Sequence, residues 1–444
     1  MPPHPPDRRG LHVYTPFGAI WGDVLNWRVS PKRLLLLIPT TTYRTEDFVE
    51  AARKLDVDLV IASDRPNVMS AEFPDHLLTL PFSDPEAAVE EMRRFAARRP
   101  LDAVVPVDDL TTVVGAAIGR DLGLRSSPVG AVSATRNKLR MRELLARSGV
   151  PSPAFTSFGV EDDPGLAAGR VSYPCVLKPL VLSASRGVIR ADHEAEFVTA
   201  FKRIAAVLAS PDVRELGEGA DRILVEGFIP GTEVALEGLL IAGALHTLAL
   251  FDKPDPLDGP FFEETIYVTP SRLPDPAQAA VRDCTAEAAK ALGLNEGPVH
   301  AEVRLGRDEG GRETAFMIEI AARSIGGLCS RTLSFGTGMS LEEIILRHAL
   351  DLPIASLARD RRAAGVMMIP IPRGGILEEV EGLDEARAVE LIEDVTISLH
   401  KGQEVVPLPE GSRYLGFIFS RADTPARAEA ALREAHSHLR FVIR

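Results

Sequence analysis

Cysteine is scarce. There are three, Cys175, Cys284 and Cys329, far apart and odd in number. That spacing builds neither a disulfide framework nor a zinc cluster; it fits a reducing compartment, and a cytoplasmic location is expected. Long apolar runs are missing too. The longest run of leucines, Leu34 to Ile38, is strand-sized, far short of the roughly 20 residues that a membrane span needs. The start, Met1-Pro2-Pro3-His4-Pro5-Pro6 and then charge, lacks the apolar core of a secretory signal, and residues 1–30 read as a flexible tail. Positive charge is in deficit, with a net charge of −13. A chain of that sign repels polyanions, which argues against nonspecific nucleic-acid binding. A nucleotide is still allowed, because its phosphates need only local compensation. Beyond the opening prolines there is no low-complexity segment and no internal repeat.

What is present is an ordinary globular composition over 444 residues. That length favours two to four packed units. Arg33–Ile38 is a continuous apolar run, as in a buried parallel strand. A helix is expected from Thr45 to Leu55, a strand over Asp58–Ala62, a helix from Asp84 or Pro85 to Ala97, and a strand over Asp102–Val107 ending at Asp108 and Asp109. Strand and helix alternate, which predicts a doubly wound parallel sheet over residues 31–130. Ser133 to Ser148 reads as one basic amphipathic helix stopped by Gly149, Pro151 and Pro153. From Tyr173 the pattern turns to strands, with Cys175–Lys178, Gly187–Arg190 and Arg222–Phe228. Thr232–Ile241 and Ala244–Phe251 resemble a hairpin about Ala242-Gly243. Val299–Leu305 and Ala315–Ile320 are placed to pair across Asp308–Gly311. After Pro353 a fresh α+β pattern runs to Arg444.

Lys178 ends an apolar strand beside the small-residue loop Ser183-Ala184-Ser185-Arg186-Gly187. Such a loop brings backbone N–H groups to phosphate oxygens, and the lysine adds charge. A polar hairpin with a solvated lysine fits that stretch equally well. The segment Glu226-Gly227-Phe228-Ile229-Pro230-Gly231-Thr232-Glu233 offers a backbone edge and two acids, as an adenosine requires. Taken by itself the segment is better read as an ordinary hairpin with outward-facing acids. Glu302 and Glu319 each interrupt an apolar strand. Buried carboxylates need compensation, by magnesium bridging phosphates or by a salt bridge to Arg304 or Arg323. The metal is preferred because both acids follow the candidate phosphate loop. Arg323, in a loop with Gly326 and Gly327, is suited to gripping a phosphoryl group.

Taken in order, these features resemble the ATP-grasp superfamily. They are Asn137-Lys138, Lys178-Pro179, the small-residue loop, the adenine segment, and two acids leading into Glu319-x-x-x-Arg323-x-x-Gly326-Gly327. Three stretches are similar to L-amino-acid ligases and carnosine-synthase-like enzymes: Phe261 to Ser271, Gly297-Pro298-Val299-His300-Ala301-Glu302, and the terminal Gly374-Gly375, Lys401-Gly402 and Arg413-Tyr414-Leu415-Gly416. The resemblance implies an α/β N-terminal domain (31–130), an ATP-grasp domain (131–353) with a mobile lid at about 171–230, and a small α+β C-terminal domain (354–444). It implies that Lys138 and Lys178 contact ATP phosphates under a lid loop containing Ser183, Ser185 and Gly187. Glu226, Phe228 and Ile229 would frame adenine, and Glu233 the ribose. Glu302 and Glu319 would bind Mg2+ or Mn2+, Arg323 would stabilise an acyl phosphate, and Glu264 would face an amino-acid substrate.

The implied activity joins a carboxylate to an amine and releases ADP, with small-molecule partners, no nucleic acid and no membrane; a homodimer is left open. Ala184 stands where many relatives carry glycine, which implies a stiffer lid loop; Ala321 stands where they often carry asparagine, which implies that one metal-ligand role falls to water; Tyr267 stands where they often carry histidine, which leaves the amine-side chemistry open. The rival readings are a biotin-carboxylase-like carboxylase, a ligase for another acid, and a nucleotide-binding protein without turnover.

Overall fold

A computed structural model describes residues 32–214 and 219–444 of the chain. The tail expected over residues 1–30 lies outside the described residues. Strand β1 (Arg33–Leu37) is buried from Leu34 to Leu37, so both of its faces must be covered. Alternate residues sort into two cores. Leu34 and Leu36 pack with Phe48 of α1 (Thr45–Lys54). Leu35 and Leu37 pack with Met92 of α2 (Pro85–Arg98) and Ile118 of α3 (Asp109–Leu122). On one side β1 pairs with β2 (Asp58–Ser63), which pairs with β3 (Leu77–Thr79); on the other it pairs with β4 (Ala103–Pro106), all in parallel. This is the doubly wound sheet that the alternation predicts. The chain leaves β4 and enters α3 at Asp109, at the strand's C-terminal end, where such folds bind ligands.

The basic segment expected as one helix is two, α4 (Val129–Arg136) and α5 (Lys138–Arg147). Asn137 breaks it with extended backbone at φ −121°, and its side chain accepts the Arg140 N–H as an N-cap. Outside the helix, the Lys138 N–H donates to the Leu180 carbonyl at 3.0 Å. The polar–apolar rhythm continues across Asn137, so periodicity alone misses the break that aims Lys138.

Next comes a four-stranded antiparallel sheet, β5 (Phe155–Gly159), β8 (Arg222–Gly227), β6 (Cys175–Pro179) and β7 (Ile189–Ala191), in that spatial order. Helix α6 (Glu194–Leu208) buries Phe197, Phe201 and Ile204 against it. The strand expected at Gly187–Arg190 starts later. Ala184, Ser185 and Gly187 take φ of 54°, 55° and 73°, which is left-handed backbone and cannot continue a strand.

The main sheet has eight strands. The hairpin β9 (Thr232–Ile241) and β10 (Ala244–Asp252) turns at Ala242 and Gly243, with φ 49° and 83°, the two positive values that a tight two-residue hairpin demands. β11 (Ile266–Thr269) follows, and then α7 (Asp275–Leu292). The antiparallel pair β12 (Gly297–Arg307) and β13 (Glu313–Ala321) sets Glu302 opposite Glu319. Beyond α8 (Leu341–Ala349), the C-terminal segment extends the same sheet. β14 (Ala363–Ile369) pairs with β11, and β18 (Gly416–Ala422) lies between β14 and β16 (Ile392–Ile397). A smaller sheet joins β15 (Gly375–Glu381) to β17 (Glu404–Val405) and β19 (Arg440–Ile443), and α9 (Pro425–His438) packs against β14 and β18 of the main sheet.

Candidate active site

A cavity of about 900 Å³ opens where the three regions meet; Thr42, Asp109, Lys178, Glu226, Glu302 and Arg413 are among its walls. On one flank, Glu226 of β8 faces Lys178 of β6, with Lys178 Nζ 2.7 Å from one carboxylate oxygen and Arg142 Nε of α5 2.6 Å from the other. Neighbouring strands put the first pair together, because Val176 is the register partner of Glu226 and Lys178 is two residues further on the same face. Burial opposes the charged form of Glu226, but Arg142 and Lys178 outweigh it and hold the carboxyl below its ordinary range. Arg142 was not singled out from the sequence, where it is one of several cations on a basic helix. The Phe228 ring has the Arg190 guanidinium 4.1 Å and the Arg304 guanidinium 4.9 Å from its centroid. The Ile229 carbonyl accepts from Arg304 Nη1 at 2.7 Å.

The small-residue loop covers this flank. Ser183 Oγ donates to Asp109 at 2.9 Å, and the Gly187 N–H donates to the Pro409 carbonyl at 2.8 Å. At Gly187 a Cβ would lie 2.7 Å from the Pro179 ring, at a φ of 73°, so glycine is needed on both counts. Ser185, beside it, shares the left-handed backbone.

On the opposite flank lie the acids. Glu302 and Glu319 are half-buried register partners, at 23% and 28% side-chain exposure. Like charges directly opposite repel, and two lysines offset them. Lys138 Nζ is 3.2 Å from Glu319 and Lys253 Nζ is 3.4 Å from Glu302. Arg304 and Arg323, the partners expected from the sequence if the acids were structural, are engaged elsewhere. Arg304 Nε is 2.8 Å from Glu233, and Arg323 Nη2 is 2.9 Å from Asp109. Register explains this, since Arg304 lies directly opposite Glu233. Burial pushes the Glu302 carboxyl up, against the pull of Lys253. Burial also opposes ionisation of Asp109, but Arg323 and Arg136 prevail and hold its carboxyl far below the usual range.

Lys253 is the second residue that sequence reading missed. Its ammonium meets Glu233 at 2.8 Å and also bonds Glu264. Burial works against the charge, yet Glu233, Glu264 and Glu302 hold its pKa well above that of a free lysine. The Tyr267 hydroxyl donates to the same Glu264 oxygen at 2.6 Å. Nothing in the local sequence separates Lys253 from a solvated lysine after a strand. The candidate residues thus converge from α5, β6 and the loop after it, β8, β9, β12, β13, and the loops before β11 and after β13.

Three family descriptions match the chain. ATP-grasp domain covers residues 171–332, ATP-grasp N-terminal domain covers 49–125, and L-amino acid ligase C-terminal domain 2 covers 367–444. The chain carries the N-terminal and core domains of the ATP-grasp family. This ATP-grasp chain is 27% identical to an alanine–anticapsin ligase of Bacillus subtilis over 273 residues, 59% of the chain and 56% of that relative. The match therefore spans little more than half of the relative's length. It is 28% identical to dapdiamide A synthase of Enterobacter agglomerans over 68% of the chain and 70% of that protein. Its fold is similar to an L-amino acid ligase of Bacillus licheniformis, with a TM-score of 0.77 at 29% identity, over 93% of this chain and 99% of that one. Among the described residues no helix is long and apolar enough to cross a membrane.

Proposed function

We propose that the chain is an ATP-dependent carboxylate–amine ligase acting on amino acids, with ADP and phosphate released through an acyl phosphate. The observation that supports this most is the arrangement of Lys138, Lys178, Glu302, Glu319 and Arg323 around one cavity, although they come from four separate stretches of chain. The names of the alanine–anticapsin and L-amino acid ligase relatives support amino acids as the joined substrates. The three free, buried cysteines suit a cytoplasmic enzyme.

Glu302 and Glu319 offer two hard carboxylates, the donor set that magnesium takes. When bound there, the ion would supply charge neutralisation at the nucleotide's terminal phosphates. Lys138 and Lys178 bind the phosphates and offset charge that develops during phosphoryl transfer, which is most of what that reaction demands. Arg323 leaves Asp109 to grip the acyl phosphate bidentately. The loop over Ser183, Ser185 and Gly187 excludes water that would hydrolyse the intermediate. Phe228, Ile229 and Glu233 hold the nucleoside, while Glu226 fixes Lys178 and Arg142 beneath it. Glu264 orients the amine. Its Oε1 accepts from Lys253 and Tyr267, which fixes the carboxylate that would take the amine's proton.

With ATP, a panel of amino acids and hydroxylamine, a hydroxamate is expected alongside ADP. AMP and pyrophosphate would instead mean adenylation. ADP release that depends on bicarbonate and needs no amine would mean a carboxylase.

A further inference from the structure

Lys253 directly follows β10 and yet is only 3% exposed at its side chain. Three glutamates from three elements surround it, Glu233 at the start of β9, Glu264 before β11 and Glu302 in β12. Its ammonium lies 5.1 Å from the centroid of the Tyr267 ring. One carboxylate oxygen from each glutamate lies within 4.8 Å of the other two. By donor type and spacing this trio could hold a divalent cation. Three such charges cannot stay ionised in a confined site without a cation among them. An ammonium has three donors for three carboxylates.

We propose that Lys253 is a positioning residue that fills the Glu233–Glu264–Glu302 trio in place of a metal ion. The tethered ammonium keeps Glu233 and Glu264 out of metal coordination. Glu302 is left to share its remaining capacity with Glu319 across the strand pair. The lysine thereby separates two tasks that one acidic cluster would otherwise mix, holding the nucleotide's metal on one side and presenting Glu264 to the amine on the other. A tethered cation also stays in place when product and nucleotide leave, so the trio keeps its shape between turnovers.

This inference rests on the reading of Glu302 and Glu319 as the carboxylates of the nucleotide's metal, and the experiment tests the two separately. Bound Mn2+ is counted by electron paramagnetic resonance, with and without ADP. Native protein is expected to bind Mn2+ only together with ADP; failure to do so would count against the metal reading itself. Lys253→Met is expected to gain about one additional Mn2+ that needs no nucleotide, because the trio then lacks its cation. Glu264→Gln, which keeps the lysine, is expected to leave the native count unchanged. The lysine assignment is overturned if Lys253→Met binds no extra Mn2+, or if Glu264→Gln lowers the count. The second variant decides the matter even where Lys253→Met does not fold.

Discussion

Glu226 shows how little a residue's own identity says about its work. On the sequence it is a strand glutamate ahead of a Pro-Gly turn, and solvent exposure is the default. In the fold it lies between Arg142 and Lys178 with a side chain only 3% exposed. Breaking one side of such a buried cluster strands the opposite charges. Glu226→Gln is therefore expected to cost about 3–5 kcal/mol in denaturant unfolding. The pH dependence has a definite sign. The folded pKa lies below the ordinary value of 4.5, so the unfolded chain binds the proton first as pH falls. The stabilisation is present above pH 4.5 and drains away below it, and the gap between native protein and Glu226→Gln should narrow in that window. A gap that stays constant down to pH 3 would contradict the ion-pair account. The candidate acids, lysines and Arg323 were legible as residue types in sequence order. Arg142 and Lys253 were not, because a cation's burial depends on what the fold lays over it.

At the scale of elements, the small-residue loop proposed to exclude water is held from outside itself. The segment between β17 and β18 supplies the Pro409 carbonyl to Gly187 and the Glu410 carbonyl to Arg186 at 2.9 Å. Arg203 of α6 grips the Glu410 carboxylate through Nε and Nη2, the latter at 2.8 Å. The same segment carries Ser412 and Arg413 into the cavity wall, so the C-terminal region touches loop and cavity together. Loosening the grip with Glu410→Gln is expected to let water into the closed site. ADP release should persist while less amide is formed per ADP; measuring both products in one reaction checks this, and an unchanged ratio would refute it. The tightness of the loop is partly foreseeable from Gly187. The left-handed Ala184 and Ser185 are not, since both residues ordinarily avoid that region.

For the whole molecule, Arg44 is the bolt between the N-terminal sheet and the main body. It is 1% exposed at its side chain; Nη1 donates to Ser324 Oγ at 2.7 Å and the Ile325 carbonyl at 3.1 Å, and Nη2 lies 2.8 Å from Glu342. Ser324 and Ile325 directly follow Arg323, so this bolt also steadies the loop that carries the phosphate-gripping candidate. Arg44→Met leaves Glu342 buried without its partner, and a loss of about 3–5 kcal/mol is expected. Replacing Glu342 with Met as well should recover much of that loss, because two apolar side chains leave no unpaired charge. Denaturant unfolding of the two single variants and the double variant checks it. A double variant no better than Arg44→Met would mean that Ser324 and Ile325, rather than Glu342, carry the contact.

What the amino-acid sequence determined by itself was the succession of elements and the order of the chemical groups. Apolar runs buried on both faces dictated a parallel sheet, Ala242-Gly243 dictated a hairpin turn, and two acids interrupting apolar strands marked β12 and β13. Those are local properties, set by period, turn chemistry and side-chain type within a few residues. Only the tertiary structure decided which charge meets which. Arg323 meets Asp109 from 214 residues away, Lys138 meets Glu319 from 181 away, and Arg44 meets Glu342 from 298 away. An ion pair is chosen by distance and burial, and the chain between two such groups says nothing of either until the sheets have packed.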